Sequence, residues 1–425
     1  MTLLILISSF IILLILSVPI GFSLALASVL AIILSPEVTV SFSIVIQRLF
    51  SGLSQTSIMA IPFFVLAGNI MTQGGISKSL VELANAVVGK IRGGIAQTLV
   101  ISSALFASLS GSGPATVLAI GSTLYKDMVA DGYPPKRVAG LLSVAGGLGP
   151  IIPPSIIMVV IGTLTGASIG DLFISGIAIG ILMVLILMVT VFIYAKKENW
   201  PKAKVTVPIK NFPKVFIKAI PALMLPIIIL GGIYLGIMTP TESSAMAVVW
   251  GVIASVFIYK KIKLRDLVPI IIESGKSTAM ILFIVAASTL FSWIISYTGV
   301  SQQLVNFISG MDLSATMFIL LTAIIFLLFG MFIEGIGVAV LLLPLLWPMA
   351  QSLGVDVIHF GIVVSISIVL GTMTPPVAIN IFSASSLTKL KMGSIIKGQL
   401  PFFIAYLIIF ALIIFFPFLS TFLIK

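Results

Sequence analysis

The chain has 425 residues, 60% of them hydrophobic and 8% charged, with a mean hydropathy of +1.30. That profile excludes a soluble globular domain and predicts an all-α polytopic membrane protein. With no cysteine and one histidine, His359, it also excludes disulfide frameworks, thiolate metal sites and imidazole clusters, and the net charge of +11 is scattered between apolar runs as membrane topology, not nucleic-acid binding, requires.

Residues 3–34 are apolar, lack a leading positive charge and are too long for a signal peptide, so they read as a first span retained in the mature protein. Further spans are expected at 55–73, 138–166, 171–195, 217–237, 240–259, 277–298, 357–388 and 398–420. The runs 93–129 and 315–350 are each too long for one span and carry a polar break near the middle, at Ser110-Gly111-Ser112-Gly113-Pro114 and at Glu334-Gly335-Ile336-Gly337. Both are predicted to be re-entrant hairpins. Segments 77–92 and 299–311 mix apolar and polar residues, which suits helices lying in the membrane interface as well as ordinary polar loops. The basic, proline-marked stretch 196–218 reads as a loop facing anionic lipid headgroups.

Basic residues orient these elements. Lys78, Lys90, Arg92, Lys126, Lys136 and Arg137 flank the first hairpin and place its ends in the cytoplasm. Lys196, Lys197, Lys202, Lys204, Lys210, Lys214 and Lys218 fill the central loop; Lys260, Lys261, Lys263 and Arg265 fill the next cytoplasmic loop, and Lys389, Lys391 and Lys397 the last. The flanks of the second hairpin hold no Lys or Arg, so it opens to the outside. Of 23 basic residues only Arg48 and Lys425 then fall on the outer side. The N-terminus is expected in the cytoplasm and the C-terminus in the periplasm. Residues 1–212 form a first repeat with its basic linker, 213–239 a connecting span, and 240–425 a second repeat; the odd connector inverts the second against the first.

An offset of 222 residues takes Gly149-Pro150-Ile151-Ile152-Pro153-Pro154-Ser155 to Gly371-Thr372-Met373-Thr374-Pro375-Pro376-Val377, Gly113 to Gly335 and Gly132 to Gly354. Gly75-Ile76-Ser77 and Gly299-Val300-Ser301 extend the match with a two-residue slip. A proline pair removes backbone donors and a glycine exposes carbonyls, so each break leaves polar backbone at bilayer depth. That is tolerated only when buried in protein or lining a cavity. Paired breaks at matching positions of two halves point to a transporter's binding site. Ser110 to Thr116 offers hydroxyls and freed carbonyls, hard oxygen ligands suited to sodium, and helices starting after Pro114 or Pro154 present N–H groups to a carboxylate. A ligand-free Gly/Ser packing seam is the competing reading of one such tip; two in register favour a site.

Glu334 lies in the second tip, far in sequence from any basic residue. It could ligate a cation, carry a proton, accept hydrogen bonds from the break at 371–376, or simply pin the tip. Thr372, Thr374 and Asn380 add oxygens around the second proline pair and Ser155 around the first. Glu242 after Pro240 reads as a helix N-terminal carboxylate, Glu273 and Lys276 as a membrane boundary, and Asn69 as an interhelical hydrogen-bonding group. Glu273-Ser274-Gly275-Lys276-Ser277 imitates a phosphate loop, but the required upstream glycine is Ile270. No nucleophile–base pair supports an intramembrane enzyme, and meeting hairpins suit alternating access better than a continuous pore. The energy source is then most simply an ion gradient.

Ser110-Gly-Ser-Gly-Pro-Ala-Thr, Gly147-Leu-Gly-Pro-Ile-Ile-Pro-Pro-Ser155, Gly330-Met-Phe-Ile-Glu334-Gly and Gly371-Thr-Met-Thr-Pro-Pro-Val-Ala-Ile-Asn380 resemble the large membrane subunit of tripartite ATP-independent periplasmic (TRAP) transporters. The resemblance covers essentially the whole chain. It implies an elevator-type fold with a hairpin-bearing domain moving against a scaffold in a bacterial inner membrane. It also implies sodium-driven import of an organic acid such as sialic acid, another sugar acid or a C4-dicarboxylate. One sodium site is implied at Ser110, Ser112, Gly113, Gly147, Gly149 and Pro150, and another at Glu334, Gly335, Gly337, Gly371, Thr372 and Thr374. Substrate contacts are implied at Ser110, Ser112, Pro154, Ser155, Glu334 and Asn380. The implied partners are a small four-helix membrane subunit, expected as a separate polypeptide, and an extracytoplasmic substrate-binding protein. The alternative is a stand-alone ion-coupled anion symporter.

Overall fold

The computed structural model describes all residues but 37, 39, 202–210, 312 and 425, and all their side chains but those of 307–309. Lys202, Lys204, Lys210 and Lys425 of the charge pattern lie outside the described residues. Seven of the described helices are long and apolar enough to cross a bilayer.

The N-terminal region is α1 (Thr2–Ile15), α2 (Ile20–Leu34) and α3 (Phe42–Leu53). The first repeat follows as α4 (Ala60–Gln73), α5 (Ile76–Val88), the hairpin α6 (Gly94–Ser110) and α7 (Gly113–Ala130), α8 (Pro135–Gly146), α9 (Ile156–Thr165) and α10 (Ile169–Lys197). Two connectors, α11 (Phe212–Tyr234) and α12 (Pro240–Val252), lead to the second repeat. That is α13 (Leu267–Tyr297), α14 (Val300–Ser309), the hairpin α15 (Ala315–Gly330) and α16 (Gly335–Ser352), α17 (Val357–Thr372), α18 (Ile379–Thr388) and α19 (Met392–Phe415), closed by α20 (Phe418–Thr421).

Local chemistry sets these boundaries. Ser112, Ser155, Ser168 and Ser314 each accept a backbone N–H at the start of α7, α9, α10 and α15. Thr239 and Glu242 form a reciprocal capping box on α12, the helix N-terminal role expected of Glu242. Gly75 and Gly299 precede α5 and α14 with φ of 72° and 70°, and Gly132 and Gly354 end the hairpins with φ of 96° and 70°. These matched pairs occupy the left-handed region that only glycine enters freely. Both proline pairs, Pro153-Pro154 and Pro375-Pro376, carry cis peptide bonds.

The expected single span 3–34 is two helices. Ser17, at φ 62°, and Pro19 break the chain, and the hydroxyls of Thr2 and Ser35 meet at 2.5 Å, so α1 and α2 form an antiparallel hairpin. The N-terminus therefore lies on the same face as Ser35, whereas one crossing would put them on opposite faces. Helix α3, amphipathic with Arg48 stacked over Trp293 at 5.3 Å, was not expected; 138–166 and 357–388 divide at their glycine–proline breaks into α8–α9 and α17–α18.

The inversion is visible in the helices. Near the end of α4, Asn69 bonds Ser274 near the start of α13 at 2.8 Å, while Gly52, shortly before α4, abuts Thr289 far along α13. The matching helices α4 and α13 therefore run antiparallel. Reciprocally, α7 packs on α18 and α16 on α9. Helices α1–α4 and α11–α13 pack largely on one another and are called the scaffold below; α6–α10 with α15–α20 pack on one another as the hairpin group, or hairpin domain, and the two groups meet where α4 packs on α6 and α13 on α16. In hydrocarbon, close approach rather than water release holds helices together. Accordingly Gly140 of α8 meets the Gly398–Gln399 backbone of α19 with no room for a side chain.

Candidate substrate and ion site

The first tip is a cluster of oxygens. Gly111 turns the chain at φ 59°, Thr116 Oγ1 donates to the Ser112 carbonyl at 2.8 Å, and Ser110 Oγ lies 3.2 Å from Thr116 Oγ1. A Cβ on Gly149 would stand 2.5 Å from Ser112 C, so the α8–α9 break supports this tip backbone to backbone. The second tip is held in the same way: a Cβ on Gly371 would stand 2.6 Å from Gly330 C, and Val377 N donates to Met331 O at 3.1 Å. Each tip also reaches the opposite repeat. Gly113 faces Asn380 Oδ1, where a Cβ would sit 2.7 Å away, and Gly335 faces Ile157 at 2.9 Å.

Between the tips lies a cavity of about 420 Å³. Ser110, Ser112, Gly113, Pro150, Glu334, Gly335 and Thr372 line it. The other expected site residues stand behind its wall. Ser155 Oγ donates to Pro150 O at 2.6 Å and caps α9 through Met158 N, with Pro154 just before it. Thr374 Oγ1 donates to Leu370 O at 2.7 Å, and Gly147 and Gly337 pack against Met373 and Ile20. Asn380 is buried; its Nδ2 reaches Ser143 O at 3.4 Å and its Oδ1 has no partner among the described residues.

Sequence reasoning missed the wall opposite the tips. Asn69 and Thr72 of α4 with Ser277 and Ile281 of α13 close the cavity from the scaffold. Asn69 makes the expected interhelical bond, to Ser274, and lines the cavity as well. The available signal was that Asn69, Thr72 and Ser277 are polar positions inside apolar runs; which of them would share one cavity depends on the antiparallel pairing of α4 with α13.

No group of three or more His, Cys, Asp or Glu that could hold a metal occurs among the described residues. The oxygens lining the cavity are hydroxyls, carbonyls, the Asn69 amide and the Glu334 carboxylate, a hard donor set without the thiolate or imidazole ligands of a transition-metal site. Glu334 precedes α16 without capping it, is exposed, and makes no hydrogen bond or ion pair among the described residues. Among the described residues no Lys, Arg or His lines the cavity. Positive potential there comes from the N-termini of α7 and α16, both on the cavity wall, and of α9 at Ile156.

Residues 7–419 match the family described as tripartite ATP-independent periplasmic transporter, DctM component. The C4-dicarboxylate TRAP transporter large permease protein DctM of Pseudomonas aeruginosa is 39% identical over 399 residues, 94% of this chain and 92% of that one. The sialic acid TRAP transporter large permease protein SiaM of Vibrio cholerae is 30% identical over 402 residues, 94% and 93% of the two chains. Among solved structures, the YdaH transporter of Alcanivorax borkumensis, described as having an unusual topology, covers 88% of this chain and 87% of its own with a TM-score of 0.63 at 14% identity, a likeness of fold.

Proposed function

The chain belongs to the DctM family of large permease components of tripartite ATP-independent periplasmic transporters, and from that premise we propose that it imports a small organic acid together with sodium. The acid is a C4-dicarboxylate, sialic acid or another sugar acid, delivered by an extracytoplasmic binding protein to a permease completed by a small membrane subunit in the inner membrane. The hairpin domain carries the loaded cavity across the scaffold.

The observation that carries this reading is the charge inventory of the cavity: among the described residues, one carboxylate, Glu334, and no basic side chain. A carboxylate substrate beside Glu334 brings at least two negative charges to bilayer depth, a cost of several kcal/mol unless compensated. Helix N-termini supply about half a charge each. Monovalent cations at the oxygen clusters of the two tips, the first made of hydroxyls and carbonyls and the second including the Glu334 carboxylate, supply the remainder, so acid and cation enter together. The first cluster uses Ser110, Ser112 and Gly113 with Gly147, Gly149 and Pro150. The second uses Glu334, Gly335 and Gly337 with Gly371, Thr372 and Thr374. Pro154, Ser155 and Asn380 shape the substrate space from behind.

The test is uptake in proteoliposomes holding the chain and both partners, with sodium and proton gradients imposed separately. Uptake of succinate or sialic acid is expected to follow the sodium gradient. Uptake indifferent to sodium overturns the coupling, and uptake by this chain alone replaces the tripartite reading with a stand-alone symporter.

A further inference from the structure

The hairpin α1–α2 ends at the second tip. At 1.5 Å per residue its arms, of 14 and 15 residues, are about 21 and 22 Å long, short of a hydrocarbon core about 30 Å thick. Both arms lie along α13. The rings of Phe10 and Phe291 are 6.1 Å apart, and those of Phe22 and Phe283 4.8 Å apart. A Cβ on Gly21 would stand 2.7 Å from Phe283 and 3.2 Å from Ile284. Phe283 is near the middle of α13, and Phe291 is nearer its Tyr297 end. The hairpin therefore dips in from the Tyr297 face, and its turn, 16–19, stands near the middle of the bilayer. There the turn serves its own polar groups. Ser17 N donates to Leu14 O at 2.9 Å, Val18 N to Leu13 O at 3.0 Å, and the Ser23 hydroxyl to Val18 O at 3.1 Å. A break so bonded among its own residues is tolerated at that depth without a ligand and forms a firm abutment.

What it abuts is the second oxygen cluster. Ile20, the first residue of α2, presses on Gly337, where a Cβ would lie 3.1 Å from both Ile20 Cδ1 and Ile333 Cγ2. Gly337 belongs to the first turn of α16, whose neighbours Glu334, Gly335 and Ile336 line the cavity. With glycine at 335 and at 337, that turn has little helix propensity and one side chain to hold it, so its place depends on what packs against it. On one side its own repeat holds the tip, through Gly330 against Gly371 and Val377 N on Met331 O. On the other stands Ile20, a branched side chain stiff at χ1. We propose that Ile20 is a positioning residue for transport: the α1–α2 hairpin is a third tip, and Ile20 wedges the first turn of α16 so that the cluster of Glu334, Gly335 and Gly337 keeps the geometry that receives its cation. Shortening Ile20 leaves a void into which this turn relaxes.

This inference rests on the sodium-coupled uptake proposed above. The test is uptake in proteoliposomes holding the chain and both partners, over a range of sodium concentrations and of succinate or sialic acid. Ile20→Ala is expected to raise the half-saturating sodium concentration about threefold or more while the maximal rate stays within about twofold of the unsubstituted chain. Ile20→Val is expected to raise it less. Adding Gly337→Ala to Ile20→Ala is expected to bring the value back toward that of the unsubstituted chain, because the new methyl group fills the vacated space. The proposal is overturned if Ile20→Ala leaves the half-saturating concentrations of sodium and acid unchanged, whatever it does to the melting temperature, since packing alone moves only the latter. A double variant at least as impaired as Ile20→Ala overturns it equally. Where Ile20→Ala does not insert into the membrane, Ile20→Val decides: a smaller shift in the same direction supports the wedge, and none removes it. Uptake by the unsubstituted chain that ignores sodium would remove the coupling. The half-saturating acid concentration then reads out the same variants, because Glu334 and Gly335 line the cavity, and rescue by Gly337→Ala would leave Ile20 in its role.

Discussion

Among the described residues Glu334 is the one charged side chain on the cavity wall, and it has no partner there. Its removal therefore changes the charge that co-transported cations must balance. Glu334→Gln, which keeps shape and polarity, is expected to cut uptake about tenfold or more, equivalent to about 1.4 kcal/mol. It is also expected to flatten the dependence of uptake on sodium concentration. An unchanged sodium dependence would make Glu334 a structural pin. Arg137 is a contrasting case, a charge whose role is structural. It binds Glu198 at 2.8 Å and donates to the carbonyls of Lys397 and Gly398, tying α8, α10 and α19 together at the basic face. Arg137→Leu is expected to lower the melting temperature of the purified permease more than Glu198→Gln, because it also strands two carbonyls. At this scale Glu334 was legible, since a carboxylate in an apolar run is conspicuous. The scaffold wall of Asn69, Thr72 and Ser277 was not, because a polar residue in a span reads first as an interhelical bond.

Glycines at the helix breaks act as supports for the tips, not merely as hinges. A methyl group at Gly149 or Gly371 would enter the backbone of Ser112 or Gly330, so Gly149→Ala and Gly371→Ala must displace a tip. Overpacking of this kind costs about 1–3 kcal/mol. Loss of uptake with retained membrane insertion is expected for both, whereas Gly231→Ala, with nothing within 4 Å, is expected to transport normally. The glycine and proline repeats make the hairpins and broken helices readable in the amino-acid sequence, because such breaks cannot sit in lipid without a reason. The division of α1 from α2 was hidden for the opposite cause. Ser17-Val18-Pro19 turns the chain without a glycine inside an unbroken apolar run, so hydropathy sees one long span. Helix α3 escaped notice because Gln47 and Arg48 interrupt too short a run.

For the molecule as a whole, the Thr2–Ser35 contact fixes a topological parity that charge counting missed. An N-terminal epitope and a cysteine at the exposed Ser41→Cys are expected to be reached by impermeant reagents from one side of the membrane, and Lys126→Cys from the other. Labelling of the epitope together with Lys126→Cys would contradict the α1–α2 hairpin. The inverted repeat itself was legible from motif spacing and basic residues, while the depth of the α1–α2 turn depends on how α2 packs on α13. One feature of the centre reaches beyond transport. Gly113 leaves room for Asn380, and Gly335 for Ile157, so each tip is fitted to a residue encoded in the other half of the gene. The two halves are therefore expected to be constrained to change together at these positions. Chimeras that join the first half of this chain to the second half of a relative should assemble only when position 113 travels with 380 and 335 with 157, and across relatives these pairs should change in step.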